Sequence, residues 1–170
     1  MKLDLGCGQN KKRDFEGDDT WTGVDLYSEA DIKFDLFKKK WPWKDESIDE
    51  IYSSHFIEHL PDLIPFMNEC HRILKTGAKM TVVAPYYSSV RATQDPTHKQ
   101  FISEHSFLYY DKKWRESQGL DHYPITADFE FGYAHAWVPE WASRSDEAKR
   151  FALTHYNNVV TDILVTLTKR

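Results

Sequence analysis

Short apolar runs separated by turn residues set the first reading of this chain. Lys2 to Leu5, Trp21 to Leu26, Ala30 to Phe34 and Glu50 to Ser54 each have strand length and are bounded by Gly, Asp, Pro or charged clusters. Leu63, Phe66, Met67, Cys70, Ile73 and Leu74 then recur at helical spacing, and Gly77 falls where a left-handed helix cap is expected. Lys79 to Ala84 is a β-branched strand ended by Pro85. From Tyr86 to Gln100 no period holds, and the mixture of Ser, Arg, Asp, Pro, Thr and His reads as a long functional loop. A short helix is predicted from about Ser106 to Glu116, and Ile125 to Trp137 and Val159 to Thr168 carry the β-branched and aromatic content of two closing strands. Strands alternating with helical segments predict a mostly parallel sheet covered on both faces, in one domain spanning 1–170.

Composition supports a folded domain and removes several classes. Of the 170 residues, 41% are hydrophobic and 15% aromatic, enough to fill one core. The longest apolar runs fall far short of the roughly 18 to 20 residues of a membrane span, and Met1 to Gly6 reads as a strand entering a turn, without the apolar core of a secretion signal. These features imply a cytoplasmic protein, in which Cys7 and Cys70 are free thiols. The net charge of −5 argues against a large phosphate-binding face. The basic runs Lys11 to Arg13 and Lys38 to Lys40 are then solvated surface, and nucleic acid is not indicated.

The most informative stretch is Asp4-Leu5-Gly6-Cys7-Gly8-Gln9-Asn10. Gly6 and Gly8 after a buried strand let the backbone turn tightly and approach a nucleotide-type ligand. Lys11 stands where a dinucleotide-binding fingerprint places its third Gly, which disfavours NAD, and no phosphate loop ending in Gly-Lys-Ser/Thr is present. Asp4 inside the motif suits the positive end of a ligand better than a pyrophosphate. Gly23-Val24-Asp25-Leu26 ends a strand in an acid at the offset where such sheets hold ribose hydroxyls, and Asp35-Leu36 offers a carboxylate to an adenine amino group.

Together these residues resemble the class I S-adenosylmethionine-dependent methyltransferases, in their small stand-alone branch. Asp4 to Gly8 resembles the family's first motif, Val24-Asp25-Leu26 its ribose acid and Asp35-Leu36 its adenine site. Trp41-Pro42-Trp43 through Ser47-Ile48-Asp49 resembles the turn before its fourth strand. Ser53-Ser54-His55 with Glu58-His59-Leu60 resembles the segment that passes the methionine end of the cofactor, and Arg72 to Gly77 the turn into its fifth strand. The Asp95-Pro96-Thr97-His98 run is similar to a stretch that follows the fifth strand in small members. The resemblance implies a Rossmann-like sheet of seven strands with one antiparallel. It implies S-adenosylmethionine as cofactor, held by Asp4, Gly6, Cys7, Gly8, Asp25, Leu26, Asp35, Leu36, Ser53 and Ser54. It also implies methyl transfer by in-line displacement.

The acceptor stays open: a small molecule is favoured, with RNA or protein as the alternative, and a cofactor-binding protein without catalysis is a further rival. A base is needed only where the acceptor proton has a high pKa. His98 is the first candidate, with Asp95 beside it and His55 after the fourth strand. Tyr86 and Tyr87 also follow the fifth strand, and the aromatics Phe131, Tyr133, Trp137 and Trp141 serve either as core or as the mouth of a substrate pocket. His55-Phe56-Ile57-Glu58-His59 spells the H-x-x-E-H of some zinc peptidases, but spacing places no third ligand, and no metal is expected. Because Met1-Lys2 runs straight into the first strand, cover for the cofactor is expected from Tyr86 to Gln100, from Pro139 to Tyr156, or from a second copy in a homodimer.

Overall fold

The computed structural model describes residues 1–170 apart from Ser28 and Lys39, so Lys39 of the second basic run lies outside the described residues. Seven strands form one sheet: β1 (Lys2–Leu5), β2 (Trp21–Asp25), β3 (Ile32–Lys33), β4 (Ile48–Ser54), β5 (Leu74–Pro85), β6 (Phe129–Trp137) and β7 (Val160–Lys169). Their order is β3-β2-β1-β4-β5-β7-β6. All neighbours are parallel except β7, which runs antiparallel to both β5 and β6, the single reversed strand that the resemblance implies. The chain steps outward from β1 to β2 and β3, then returns to place β4 on the other side of β1. That reversal opens a crevice beyond the carboxyl ends of β1 and β4, where open α/β sheets bind ligands.

The helices are α1 (Leu63–Ile73), α2 (Val90–Thr93), α3 (Lys112–Ser117), α4 (Pro139–Ala142) and α5 (Asp146–His155), with 3-10 turns at Ile57–His59 and Glu104–Tyr110. Asp62 caps α1 by accepting the Ile64 N–H at 2.9 Å, and the apolar stripe Phe66, Met67, Cys70 and Ile73 is buried. It meets Leu3, Leu5, Val24, Ile51, Met80 and Val82, all of them sealed from solvent on the strands. Burying each such side chain contributes about 1.5–3 kcal/mol before entropy is charged against it. Arg72 fastens α1 to the turn before β4. Its guanidinium donates to both Glu69 oxygens at 2.7 Å, to the Trp43 carbonyl at 2.8 Å and to Asp45 at 2.7 Å, while Glu69 accepts the Trp41 N–H at 2.8 Å.

Three local expectations change. Gly77 has φ +79° but lies inside β5, where pairing jumps from Ile48–Leu74 to Glu50–Lys79; α1 closes instead on an extended Leu74. The single helix predicted over Ser106 to Glu116 divides at Asp111, whose carboxylate accepts the Trp114 N–H and so starts a new helix rather than continuing one. The long segment after β5 contains α2 and is tied down: Tyr87 N–H bonds Ile102 O, Val90 N–H bonds Asn158 Oδ1, and the Lys99 and Gln100 N–H groups both bond Glu58 O. Between β1 and β2 there is no helix among the described residues. Buried Asp18 organises that connection by accepting from the Asp14 N–H and from the Thr20 N–H and hydroxyl.

Candidate active site

The glycine turn leaves the carboxyl end of β1 with left-handed backbone at Gly6 (φ +74°) and Gly8 (φ +52°). A Cβ on Gly6 would lie 2.2 Å from the Phe56 ring, so only Gly permits that approach, whereas Gly8 faces open space. Asp4, 2% exposed, accepts the Lys12 N–H at 2.7 Å and holds the far side of the turn; burial pushes its carboxyl up to about 6. Cys7 packs against Gly23, where a Cβ would come within 2.8 Å of its sulfur, and burial followed by the nearby Asp4 carboxylate pushes the thiol up to about 11. Such a thiol is not a nucleophile at neutral pH.

Asp25 ends β2 with its carboxylate bound by two backbone donors, Gly8 N–H to Oδ2 and Tyr27 N–H to Oδ1, each at 2.9 Å. A carboxylate offers about four lone-pair sites, so with these two donors among the described residues two remain for a ligand diol. Asp25, Leu26, Phe34, Asp35, Phe37 and Phe56 line a narrow slot of about 50 Å³, and Asp35 Oδ1 accepts the Phe37 N–H at 2.9 Å. Leu36 is buried beneath this slot and Leu26 is exposed at its rim. A second cavity of about 290 Å³ lies alongside Cys7, Gly8 and Gln9. The turn, the strand-end carboxylate and the narrow aromatic slot thus lie along one edge of the sheet. Ser53 is different, because its buried hydroxyl is spent on Leu5 O at 3.0 Å, tying β4 to β1; Ser54 sits next to it at the mouth of the crevice.

Beyond β4 the chain turns through His55 in left-handed backbone (φ +51°). Its ring stands between two carboxylates, Nδ1 at 3.4 Å from Glu58 and Nε2 at 3.7 Å from Asp162, and Asp162 is itself bound by Arg91 at 2.6 Å. Glu58 is the main influence raising the His55 pKa, opposed by partial burial. His98 and Asp95 are near each other, Nε2 to Oδ2 at 3.9 Å, but the His98 side chain is only 9% exposed.

At the carboxyl end of β5 a cavity of about 530 Å³ is walled by Tyr86, Tyr87, Phe101, Glu104, His105 and Leu153. At its edge Glu104 Oε2 and His135 Nε2 lie 3.5 Å apart, both buried and without a hydrogen-bond partner among the described residues. Burial, then the Glu104 carboxylate, holds the Tyr86 hydroxyl well above its ordinary pKa. Tyr133 and Trp137 flank His135 with ring centroids 5.3 and 5.7 Å away, while Phe131 packs with Phe107 and Trp141 with Tyr156. Sequence spacing gives no hint of this pairing, since Glu104 and His135 meet only when β6 returns to the sheet beside β7.

Comparison with known proteins follows the same geometry. Residues 3–82 match the family model described as "Methyltransferase domain". A SAM-dependent methyltransferase from Archaeoglobus fulgidus is similar over 99% of this chain and 85% of its own, with a TM-score of 0.65 at 18% identity. A putative methyltransferase from Bacillus halodurans covers 99% of this chain and 91% of its own, with a TM-score of 0.57 at 16% identity. Geranyl diphosphate C-methyltransferase from Streptomyces coelicolor, solved with Mg2+, geranyl diphosphate and S-adenosyl-L-homocysteine, covers 99% and 71%, with a TM-score of 0.59 at 13% identity. No curated protein sequence matches the chain. No helix among the described residues is long and apolar enough to cross a membrane.

Proposed function

We propose that this chain, whose residues 3–82 match the methyltransferase-domain family model, is a class I S-adenosylmethionine-dependent methyltransferase that methylates a small molecule held in the cavity after β5. That cavity carries the reading. Its volume of about 530 Å³ lies in the range of small-molecule sites, its walls include Tyr86, Tyr87 and Phe101, and Glu104, beside Ser103, His105 and Thr154, offers a carboxylate to a hydroxyl or amino group.

On the cofactor side, Asp25 is the ribose acid, with two lone-pair sites for the two diol protons. Leu26, Phe37 and Phe56 sandwich the adenine edge and Asp35 accepts its amino group, while Gly6 admits the Phe56 ring and Gly8, facing open space, admits the rest of the molecule against bare backbone. Asp4 and Cys7 shape the turn, Leu36 supports the slot from below, and Ser53 fixes the ends of β1 and β4 so that Ser54 borders the methionine end. The slot is smaller than an adenine ring, so Phe37 or Phe56 must swing aside on binding; their ring centroids are 6.2 Å apart. S-adenosylmethionine, when bound, supplies a methyl group already activated on sulfonium.

The chain then needs to align the acceptor and remove its proton. His55 is the base in this reading. It is 39% exposed in the side chain, sits at the carboxyl end of β4, and the carboxylates of Glu58 and Asp162 stabilise the imidazolium formed when it takes the proton. His98, more buried, takes a different part.

The experiment is incubation of the purified enzyme with methyl-labelled S-adenosylmethionine and separated cell fractions of small molecules, RNA, DNA and protein. Label entering the small-molecule fraction, and lost with Glu104→Gln, supports the proposal. Label entering only RNA or protein overturns it.

A further inference from the structure

We propose that Glu58, His59 and His98 form a binding site for a divalent transition-metal ion, with Zn2+ as the type. One potential ligand atom from each residue lies within 4.8 Å of the other two. Two of these residues come from the turn after β4 and the third from the segment after β5. Their meeting is fixed by backbone, since the Lys99 and Gln100 N–H groups bond Glu58 O at 2.7 and 3.0 Å, and Gln100 Nε2 bonds Leu60 O at 2.9 Å.

The hydrogen bonds around the cluster decide where the protons are. His98 Nδ1 lies 3.0 Å from Ala92 O, and a carbonyl can only accept, so in the neutral ring Nδ1 carries the proton and Nε2 the lone pair. Thr97 donates its hydroxyl proton to Asp95 Oδ1 at 2.7 Å and therefore accepts from His59 Nδ1 at 2.9 Å, which again leaves the lone pair on Nε2. Both bonds are the outer-sphere contacts that orient metal-binding imidazoles. Glu58 is 1% exposed, and neither carboxylate oxygen has a hydrogen-bond partner among the described residues. Had either Nε2 carried a proton, that carboxylate was the acceptor to hand.

Two lone pairs and a buried carboxylate thus converge with no donor between them. His55 approaches Glu58 from the other side at 3.4 Å without hydrogen-bond geometry, and Asp95 Oδ2 at 3.9 Å from His98 Nε2 adds further negative charge. His55 offsets this charge only when its ring is protonated, so beside a neutral His55 the arrangement is expensive in its buried setting, and a cation relieves it. Two imidazoles and one carboxylate suit a borderline ion such as Zn2+, and three protein ligands leave a coordination position for water or an acceptor oxygen.

The test reads binding, so it stands or falls separately from the methyl acceptor. The full chain is stripped with chelator and titrated with Zn2+ against a chromophoric competitor, and with Co2+ while its visible ligand-field bands are recorded. One equivalent is expected, with Co2+ bands of nitrogen and oxygen coordination. Glu58→Gln and His98→Ala should each weaken binding by at least about 100-fold, and Thr97→Val, which removes only an orienting contact, by about 10-fold. His122→Ala, an exposed histidine elsewhere, should bind as the parent does. Circular dichroism establishes that each variant is folded; should a ligand variant unfold, Thr97→Val and the Co2+ spectrum decide. Absence of saturable binding by the parent, or equal binding by the parent and Thr97→Val with no Co2+ bands, overturns the site.

Discussion

Removing the Asp25 carboxylate is expected to damage two things at once, and their sizes are separable. In the free protein that side chain accepts two backbone N–H groups at 2.9 Å, one from the glycine turn and one from Tyr27 just after β2. Hydrogen bonds to a charged group are worth about 1.5–3 kcal/mol when buried. Here both are partly open to solvent, so about 1 kcal/mol each is the appropriate weight. Asp25→Ala should therefore lose about 2 kcal/mol, which in a chain of this size lowers Tm by about 4–8 °C. Cofactor affinity should fall further, because two charge-assisted bonds to the ribose diol disappear as well, about 2–4 kcal/mol, or 30-fold to 1,000-fold in Kd. Asp25→Asn separates the effects: its amide oxygen keeps one backbone bond, so Tm should fall by about half as much while most of the affinity loss remains. Calorimetric titration with S-adenosylhomocysteine and thermal melts of the free proteins provide the readouts. If Asp25→Ala binds S-adenosylhomocysteine as the parent does, the ribose lies elsewhere and the assignment of this edge is wrong.

Further expectations follow from the same geometry. Asp4 has a folded-state pKa near 6 against 3.8 unfolded, so the folded state holds a proton that the unfolded chain has released, and stability should decline as pH rises from about 4 to about 6, by roughly 3 kcal/mol. Urea unfolding across that window should show the decline in the parent and lose it in Asp4→Asn. Gly6→Ala must both adopt left-handed backbone and displace Phe56, costing about 2–5 kcal/mol, whereas Gly8→Ala, facing open space, should cost only about 1 kcal/mol by the same assay. Arg72→Ala should lose about 2–3 kcal/mol by leaving Glu69 and the Trp43 carbonyl without their donor, and Arg72→Lys should recover little of it, since an ammonium cannot span both Glu69 oxygens; melting temperatures check both.

What the sequence disclosed, and what it hid, divides along one physical line: contacts made within a strand and its following turn are visible as local pattern, and contacts made by the return of distant strands are not. Gly6, Gly8 and Asp25 are legible because a backbone that must bend without a Cβ, and an acid that must stand at a strand end, impose residue type at fixed spacing. The mostly parallel sheet is legible for a related reason, since strands alternating with helical segments demand crossover connections. Gly77 misleads because a left-handed glycine serves a bulge within β5 as well as a helix cap, and residue type alone does not tell the two apart. Asp111 misleads less deeply: its capping tendency is a local property, masked by the aromatic run Phe107, Tyr109 and Tyr110, which mimics helical continuity. Glu104 and His135 carry no local signal whatever, each being a lone polar residue in an aromatic stretch until β6 docks. The H-x-x-E-H run lies between these cases. Its two histidines announce a ligand pattern, yet His55 faces Asp162 while His59 turns toward His98, a division set by the left-handed backbone at His55 and by the bonds of Lys99 and Gln100 to Glu58 O. The third partner thus comes from a segment nearly forty residues on, brought there by main-chain bonds that no side-chain pattern encodes.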